Sequence, residues 1–81
     1  MDRDEVMAKV TEIAREIFDD EELELYDDTI AADVDGWDSL THLSLMNEIE
    51  NEFDIKFEMR EVQGLGNVGE LIDVIMERIA E

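Results

Sequence analysis

The sequence predicts an all-α protein, a small four-helix bundle with a long first loop and a short third helix. Three observations carry this. Apolar residues recur at helical spacing, and no segment alternates apolar and polar residues as a strand would. There are no prolines, and the four glycines fall in two places, Gly36 and the Gly64–Gly69 stretch, where they punctuate the chain into helical segments. The chain is strongly acidic, yet 44% of its residues are hydrophobic. That content, at helical periods, argues against an acidic disordered segment.

The first helix is expected from about Asp4 to Phe18. Val6, Val10, Ile13, Ala14 and Ile17 follow the i, i+4, i+7, i+8 spacing of one buried stripe. Asp2 or Asp4 caps its start, where a carboxylate also suits the helix dipole. Asp19–Asp38 is a long acidic connection, with Leu23, Leu25, Tyr26, Ile30 and Val34 as its expected anchors on the core. A loop of this length in so small a domain is uncommon and is often functional. The second helix is expected over Ser39–Phe53. Leu40, Leu43, Met46, Ile49 and Phe53 form its buried face with Leu45 beside them, and Thr41, Ser44, Asn47, Glu48, Asn51 and Glu52 lie opposite. Ile55 and Phe57 follow as short apolar anchors. Met59 to about Gln63 gives one or two helical turns, ended by Gly64-Leu65-Gly66. Asn67-Val68-Gly69-Glu70 reads as a capping box, Asn67 accepting from the Glu70 backbone and Glu70 reaching back. The last helix carries Val68, Leu71, Ile72, Ile75 and Ile79 on one stripe.

Residues 1–81 make a single domain. A chain this short buries only about 60% of its unfolded surface, so its core is thin. A shielded catalytic cleft is hard to build on such a core, and a binding or carrier module fits better than an enzyme. No cysteine is present, which removes disulfides, thiolate nucleophiles and the usual zinc sites. No stretch of about 18 apolar residues and no basic-then-apolar leader occurs. A soluble, cytoplasmic protein without membrane insertion is expected. Six basic residues against 25 acidic ones give a net charge of −19. That charge disfavours nucleic acid, whose phosphates need a cationic face, and anionic membrane surfaces. It favours docking onto enzymes with basic patches, by steering and complementary potential.

Ser39 is the candidate functional residue. Asp38-Ser39 is in itself an ordinary helix-start signal, in which Asp38 is a good cap. Its surroundings add to that. Gly36 allows a tight turn just before the serine, and Trp37 is placed to pack partly on the bundle and pin the loop. The face after Ser39 is uncharged and then acidic, with no basic residue until Lys56. A serine in the first turn of a helix presents its hydroxyl outward. An anionic group attached there sits at the positive end of the helix dipole, near unpaired backbone N–H groups.

The run Gly36-Trp37-Asp38-Ser39-Leu40-Thr41-His42-Leu43 resembles the attachment site of acyl carrier proteins, and the resemblance covers essentially the whole chain. It implies that Ser39 carries a 4'-phosphopantetheine arm taken from coenzyme A, with acyl groups riding on its thiol as thioesters. A separate phosphopantetheinyl transferase would supply base and metal, which accounts for a nucleophile with no catalytic machinery around it. The resemblance places Asp38 and Leu40 at the positions that help the transferase recognise the serine. It places Thr41, Ser44, Asn47, Glu48 and Glu50–Glu52 on the helix against which acyl-loading and acyl-transfer enzymes dock. Leu43, Met46, Ile49, Val62, Leu65 and Leu71 fall where the family shelters an acyl chain. A monomer is expected. Trp37 stands where carriers for bulk fatty acid synthesis have an aliphatic residue, and Ser44 and Asn47 soften the acidic helix face. Both departures point to a specialised carrier, of polyketide, peptidyl, D-alanyl or polysaccharide-associated type, over primary fatty acid biosynthesis.

Other readings of the same residues are weaker. An acidic interaction module without a prosthetic group would use Ser39 only as a cap. A Ser39–His42 hydrolase lacks an oxyanion hole and a cleft, and His42 is expected to face solvent or a partner. Asp33, Asp35 and Gly36 fail as a calcium loop, because aligning Gly36 with loop position six puts Ala31 and His42 at the two terminal ligand positions. No metal site is expected beyond weak divalent-cation binding from charge density. Met7, Met46, Met59 and Met76 read as core fillers, pliable enough to yield to an acyl chain.

Overall fold

The computed structural model describes residues 1–80. Its helices are α1 (Arg3–Ile17), α2 (Ser39–Phe53), α3 (Met59–Gln63) and α4 (Val68–Ala80), with one 3-10 turn, Ala31–Asp33, in the first connection. Among the described residues there is no strand. The expected bundle is therefore present, with helix limits within a residue or so of those read from the sequence. Asp2, and not Asp4, caps α1, accepting from the Glu5 N–H at 2.9 Å. Asp19 and Asp54, which follow α1 and α2, both turn left-handed, with φ of 53° and 54°.

α1 packs against both α2 and α4. Val6, Val10 and Ala14 of α1 meet Leu45, Met46 and Ile49 of α2 and Val68, Leu71, Ile72 and Ile75 of α4, while Leu25, Val34 and Val62 close the core from the connections. Each fully buried aliphatic contributes about 1.5–3 kcal/mol of transfer free energy. α3 is too short to hold itself and is tied to α4 by the Glu61–Arg78 ion pair, while Arg78 Nε donates to the carbonyl of Lys56, in the segment leading into α3, at 3.1 Å.

Several expected anchors lie elsewhere. Leu40 is 77% and Leu43 51% exposed, so they do not belong to the buried face of α2. The inward stripe runs instead through His42, Leu45, Met46, Ile49 and Phe53, an i, i+3, i+4, i+7, i+11 series. His42 thus occupies the place of a core aliphatic, and Leu40 and Leu43 flank it on the exposed side. Met59 is likewise exposed and fills no core space. In the long loop Leu25 and Val34 are buried and Leu23 is half-buried, but Tyr26 and Ile30 point outward. Their expected place is taken by Thr29, whose hydroxyl accepts from the Tyr26 N–H at 2.9 Å and whose side chain is buried.

The middle of the loop is bound to the start of α4. The N–H groups of Val68 and Gly69 donate to the carbonyls of Thr29 and Asp27, each at 2.8 Å. Arg3 bridges the same point, binding the Asp27 and Asp73 carboxylates and the Gly69 carbonyl. The capping box is half as expected. Asn67 Oδ1 accepts from the Glu70 N–H at 2.9 Å, but the Glu70 carboxylate takes the Gly66 N–H instead of that of Asn67.

Candidate functional site

The chain reaches α2 through a tight turn. Gly36 sits at φ 87°, a conformation open to glycine at little cost, and its carbonyl accepts from Thr41 Oγ1 at 2.8 Å. Asp38 caps the helix. One carboxylate oxygen accepts from the N–H groups of Leu40 (3.0 Å) and Thr41 (2.9 Å), and the Asp38 N–H returns to Thr41 Oγ1 at 2.8 Å. These bonds, that of the Thr41 N–H foremost, hold the Asp38 carboxyl below its ordinary pKa. The cap is complete without Ser39. The serine is the first residue of α2, exposed, and its hydroxyl stands outside the network. The expected unpaired N–H groups are fewer than the sequence suggested, because the Asp38 carboxylate already occupies two of them. A phosphodiester on Ser39 would share the dipole with that carboxylate.

Trp37 is half-buried and pinned on two sides. Its ring lies 5.3 Å from that of Phe18 and 6.0 Å from that of His42, centroid to centroid. Its indole Nε1–H donates to His42 Nδ1 at 3.0 Å, and His42 Nε2 lies 3.0 Å from the Val62 carbonyl. An indole only donates and a carbonyl only accepts, so the imidazole must be the neutral tautomer with its proton on Nε2. The sequence suggested a histidine facing solvent or a partner; instead His42 is half-buried and both of its ring nitrogens are taken up within the protein. It bridges the loop and α3. With both nitrogens committed, it is not placed as a general base for that serine.

Ser39 stands on the rim of an open groove of about 640 Å³, lined further by Ala31, Trp37, Leu43, Met59, Val62 and Leu65. Its apolar wall begins at the serine and runs along α3, so a linear arm linked to Ser39 has a surface to lie on. Of the residues expected to shelter an acyl chain, Leu43, Val62 and Leu65 line this groove. Leu71 lines a second, smaller hollow, and Met46 and Ile49 are packed into the core and line neither.

Down α2 from the serine, Leu40, Ser44, Asn47 and Glu48 are exposed, whereas the Thr41 hydroxyl is spent on the cap. The acidic residues there differ. Glu50 accepts from the Phe57 N–H at 2.8 Å and Glu52 pairs with Lys9 at 3.4 Å. Glu48 is the carboxylate of the three that the fold does not use. Among the described residues no group of three or more His, Cys, Asp or Glu side chains is placed to hold a metal ion, and no helix is long and apolar enough to cross a membrane.

Comparison with known proteins bears on this geometry. The family model for the phosphopantetheine attachment site matches residues 5–75. Among solved structures, the chain is similar to a holo acyl carrier protein from Geobacter metallireducens, with 40% identity, a TM-score of 0.86, and coverage of 93% of this chain and 86% of that one. No curated protein matches the sequence.

Proposed function

The chain belongs to the phosphopantetheine attachment-site family and, within it, to the acyl carrier proteins; from that premise we propose that Ser39 is the residue that bears the arm. The protein carries acyl groups on a covalently attached 4'-phosphopantetheine. The observation that supports Ser39 is the closed cap: Asp38 and Thr41 satisfy the helix start between them, and an exposed hydroxyl is left over at the rim of an apolar groove. When attached, the arm supplies a thiol for thioester formation. The chain's own residues do the rest. Gly36 and the cap hold Ser39 Oγ outward, where it can attack the phosphorus of coenzyme A that bears the pantetheine. The serine proton passes to a base on the transferase, and the nucleotide leaves. Trp37 fixes the loop that presents the serine. Asp38, Leu40 and, further along α2, Ser44, Asn47 and Glu48 form the face for the transferase and for acyl-transfer enzymes with basic patches. Thr41 and Glu52 serve that face indirectly, through the cap and the Lys9 pair. The protein itself is no catalyst and acts as a cytoplasmic monomer.

The pathway we infer is a specialised one, outside bulk fatty acid synthesis. Two features support it: the aromatic Trp37, held in place by Phe18 and His42, and a docking face left with a single uncommitted glutamate of three. An aminoacyl cargo, peptidyl or D-alanyl, is compatible with the same features.

The test is intact mass and peptide mapping after incubation with coenzyme A, magnesium and a broad-specificity phosphopantetheinyl transferase. One arm is expected, on the peptide containing Ser39, and none on Ser39→Ala. Modification that persists in the variant, or its absence from wild type with several competent transferases, overturns the assignment.

A further inference from the structure

One side chain ties together two segments beside Ser39. His42 accepts the indole N–H of Trp37 at 3.0 Å and, through its other nitrogen, donates to the Val62 carbonyl of α3, again at 3.0 Å. Trp37 belongs to the loop that delivers Ser39. Val62 belongs, with Met59 and Gln63, to the part of α3 that lines the same groove as the serine. Each segment has few other holds. The loop reaches Trp37 through Gly36, at φ 87°, and beyond His42 the indole has one ring neighbour, Phe18 at 5.3 Å. α3 has five residues, too few for a helix that persists alone, and is otherwise held by the Glu61–Arg78 pair and the buried Val62 side chain. His42 itself stands on α2, a helix of 15 residues packed on α1.

Packing alone does not ask for a histidine there. The rest of the inward stripe is apolar, Leu45, Met46, Ile49 and Phe53, and a leucine would continue it without desolvating two ring nitrogens. The two bonds return little net stability, because they replace bonds to water. What the imidazole supplies, and an aliphatic cannot, is an acceptor and a donor on one rigid ring. The acceptor takes the loop and the donor takes α3.

We propose that His42 is a positioning residue for the transfer chemistry at Ser39. By bonding the Trp37 loop and α3 to one ring on α2, it makes them a single surface, so that an enzyme closing on α3 meets the serine already presented. Without it, loop and α3 move independently, and only a fraction of the molecules offers a binding-competent surface. Affinity then falls by that fraction, while the bound complex reacts as before. This rests on Ser39 being the attachment point.

The experiment follows phosphopantetheinylation of the full chain by a broad-specificity transferase with coenzyme A and magnesium, the carrier concentration being varied. Mass first confirms one arm on wild-type Ser39; if that step fails, it is the attachment that fails and not the role of His42. His42→Leu keeps the apolar stripe and removes both bonds. At a temperature where it is folded, its KM should rise about 2- to 10-fold, the factor that a lost hydrogen bond represents, with kcat unchanged. In the same variant Trp37 emission should shift to the red and the α3 amides should exchange faster with solvent. In His42→Gln the carboxamide oxygen can accept from Trp37 while its NH2 donates to Val62, so all three readouts should return toward wild type. A His42→Leu protein with wild-type KM would overturn the proposal. So would a fall in kcat alone, loosening of only one of the two segments, or a His42→Gln protein no better than His42→Leu. If His42→Leu does not fold, Trp37→Phe, which keeps a ring and loses the N–H, decides by the same KM: a rise supports the proposal and an unchanged value overturns it.

Discussion

Two helices of this protein begin in opposite ways. The start of α4 is knit into the molecule. Its first N–H groups go to the loop carbonyls of Thr29 and Asp27, the next to Asn67 Oδ1, and Arg3 closes the junction from α1. The start of α2 is self-sufficient. Asp38 and Thr41, both local, supply its cap, and the Ser39 hydroxyl takes no part in it. The same physical need, to pair the orphan N–H groups of a first turn, is met in one case by long-range backbone contacts and in the other by neighbouring side chains. The first solution holds the fold together. The second leaves a residue that an enzyme can reach without disturbing the fold.

The largest expected effect lies at α4. A Cβ on Gly69 would come within 2.8 Å of the Asp27 carbonyl oxygen and 3.2 Å of Asn67 Oδ1. Gly69→Ala should therefore push the loop off the helix. Overpacking costs about 1–3 kcal/mol, partly offset by the better helix propensity of alanine, about 1 kcal/mol. A net loss lowers Tm by about 4–8 °C per kcal/mol in a domain of this size. Phosphopantetheinylation at a temperature where the variant is folded should be unaffected. An unchanged Tm would mean that the loop can give way and that the two helix starts differ less than the geometry indicates.

A smaller effect is expected from the cap of α2, and it depends on pH. The Asp38 carboxyl is held below its ordinary pKa, chiefly by the Thr41 N–H. Its stabilisation is thus fully present above the unfolded value, ~3.9, and is lost as pH falls through the lower folded value. Asp38→Asn keeps a capping oxygen but cannot lose a charge. Thermal melts of the two proteins should differ most above about pH 4 and converge below it. A difference that stays constant down to strong acid would remove the depressed carboxyl from the account.

How much of this was legible in the sequence follows the same division. The helices, the Asp38 cap, the Gly36 turn and the packing of Trp37 are written in neighbouring residues, and side-chain type and spacing convey them. The α4 junction is not. It is made by the carbonyls of Asp27 and Thr29, which every residue possesses, so no side chain announces it. Leu40 and Leu43 misled because they are apolar and near the stripe, yet both are exposed, Leu43 on the wall of the groove that α3 also lines. The role of His42 was within reach. It completes a cleaner inward series with Leu45, Met46, Ile49 and Phe53 than Leu40 does, and a histidine on a buried stripe requires partners for both nitrogens. The Glu52–Lys9 pair joins distant segments, and the Glu50 contact is to the Phe57 backbone N–H, so neither left a trace in side-chain pattern.

The smallest effect on stability is expected on the exposed face of α2. Glu48→Lys should leave Tm nearly unchanged, within about 0.5 kcal/mol as is usual for surface changes. It should slow association with a basic partner enzyme, and the deficit should shrink with added salt, as screening reaches about 8 Å at physiological ionic strength. Glu52→Lys, which also breaks the Lys9 pair, should act on both stability and association. Equal association rates for Glu48→Lys and wild type would move the docking surface away from this face.

The central claim is that the α2 start is complete without the residue it presents. The measurement that tests it most directly is the thermal stability of unmodified Ser39→Ala beside unmodified wild type. If Asp38 and Thr41 carry the cap alone, the two melting curves should superpose within about 0.5 kcal/mol, the range for a surface substitution. A Ser39→Ala protein less stable by about 1 kcal/mol or more, the usual cost of losing a capping side chain, would show that the hydroxyl holds the helix and would contradict the account.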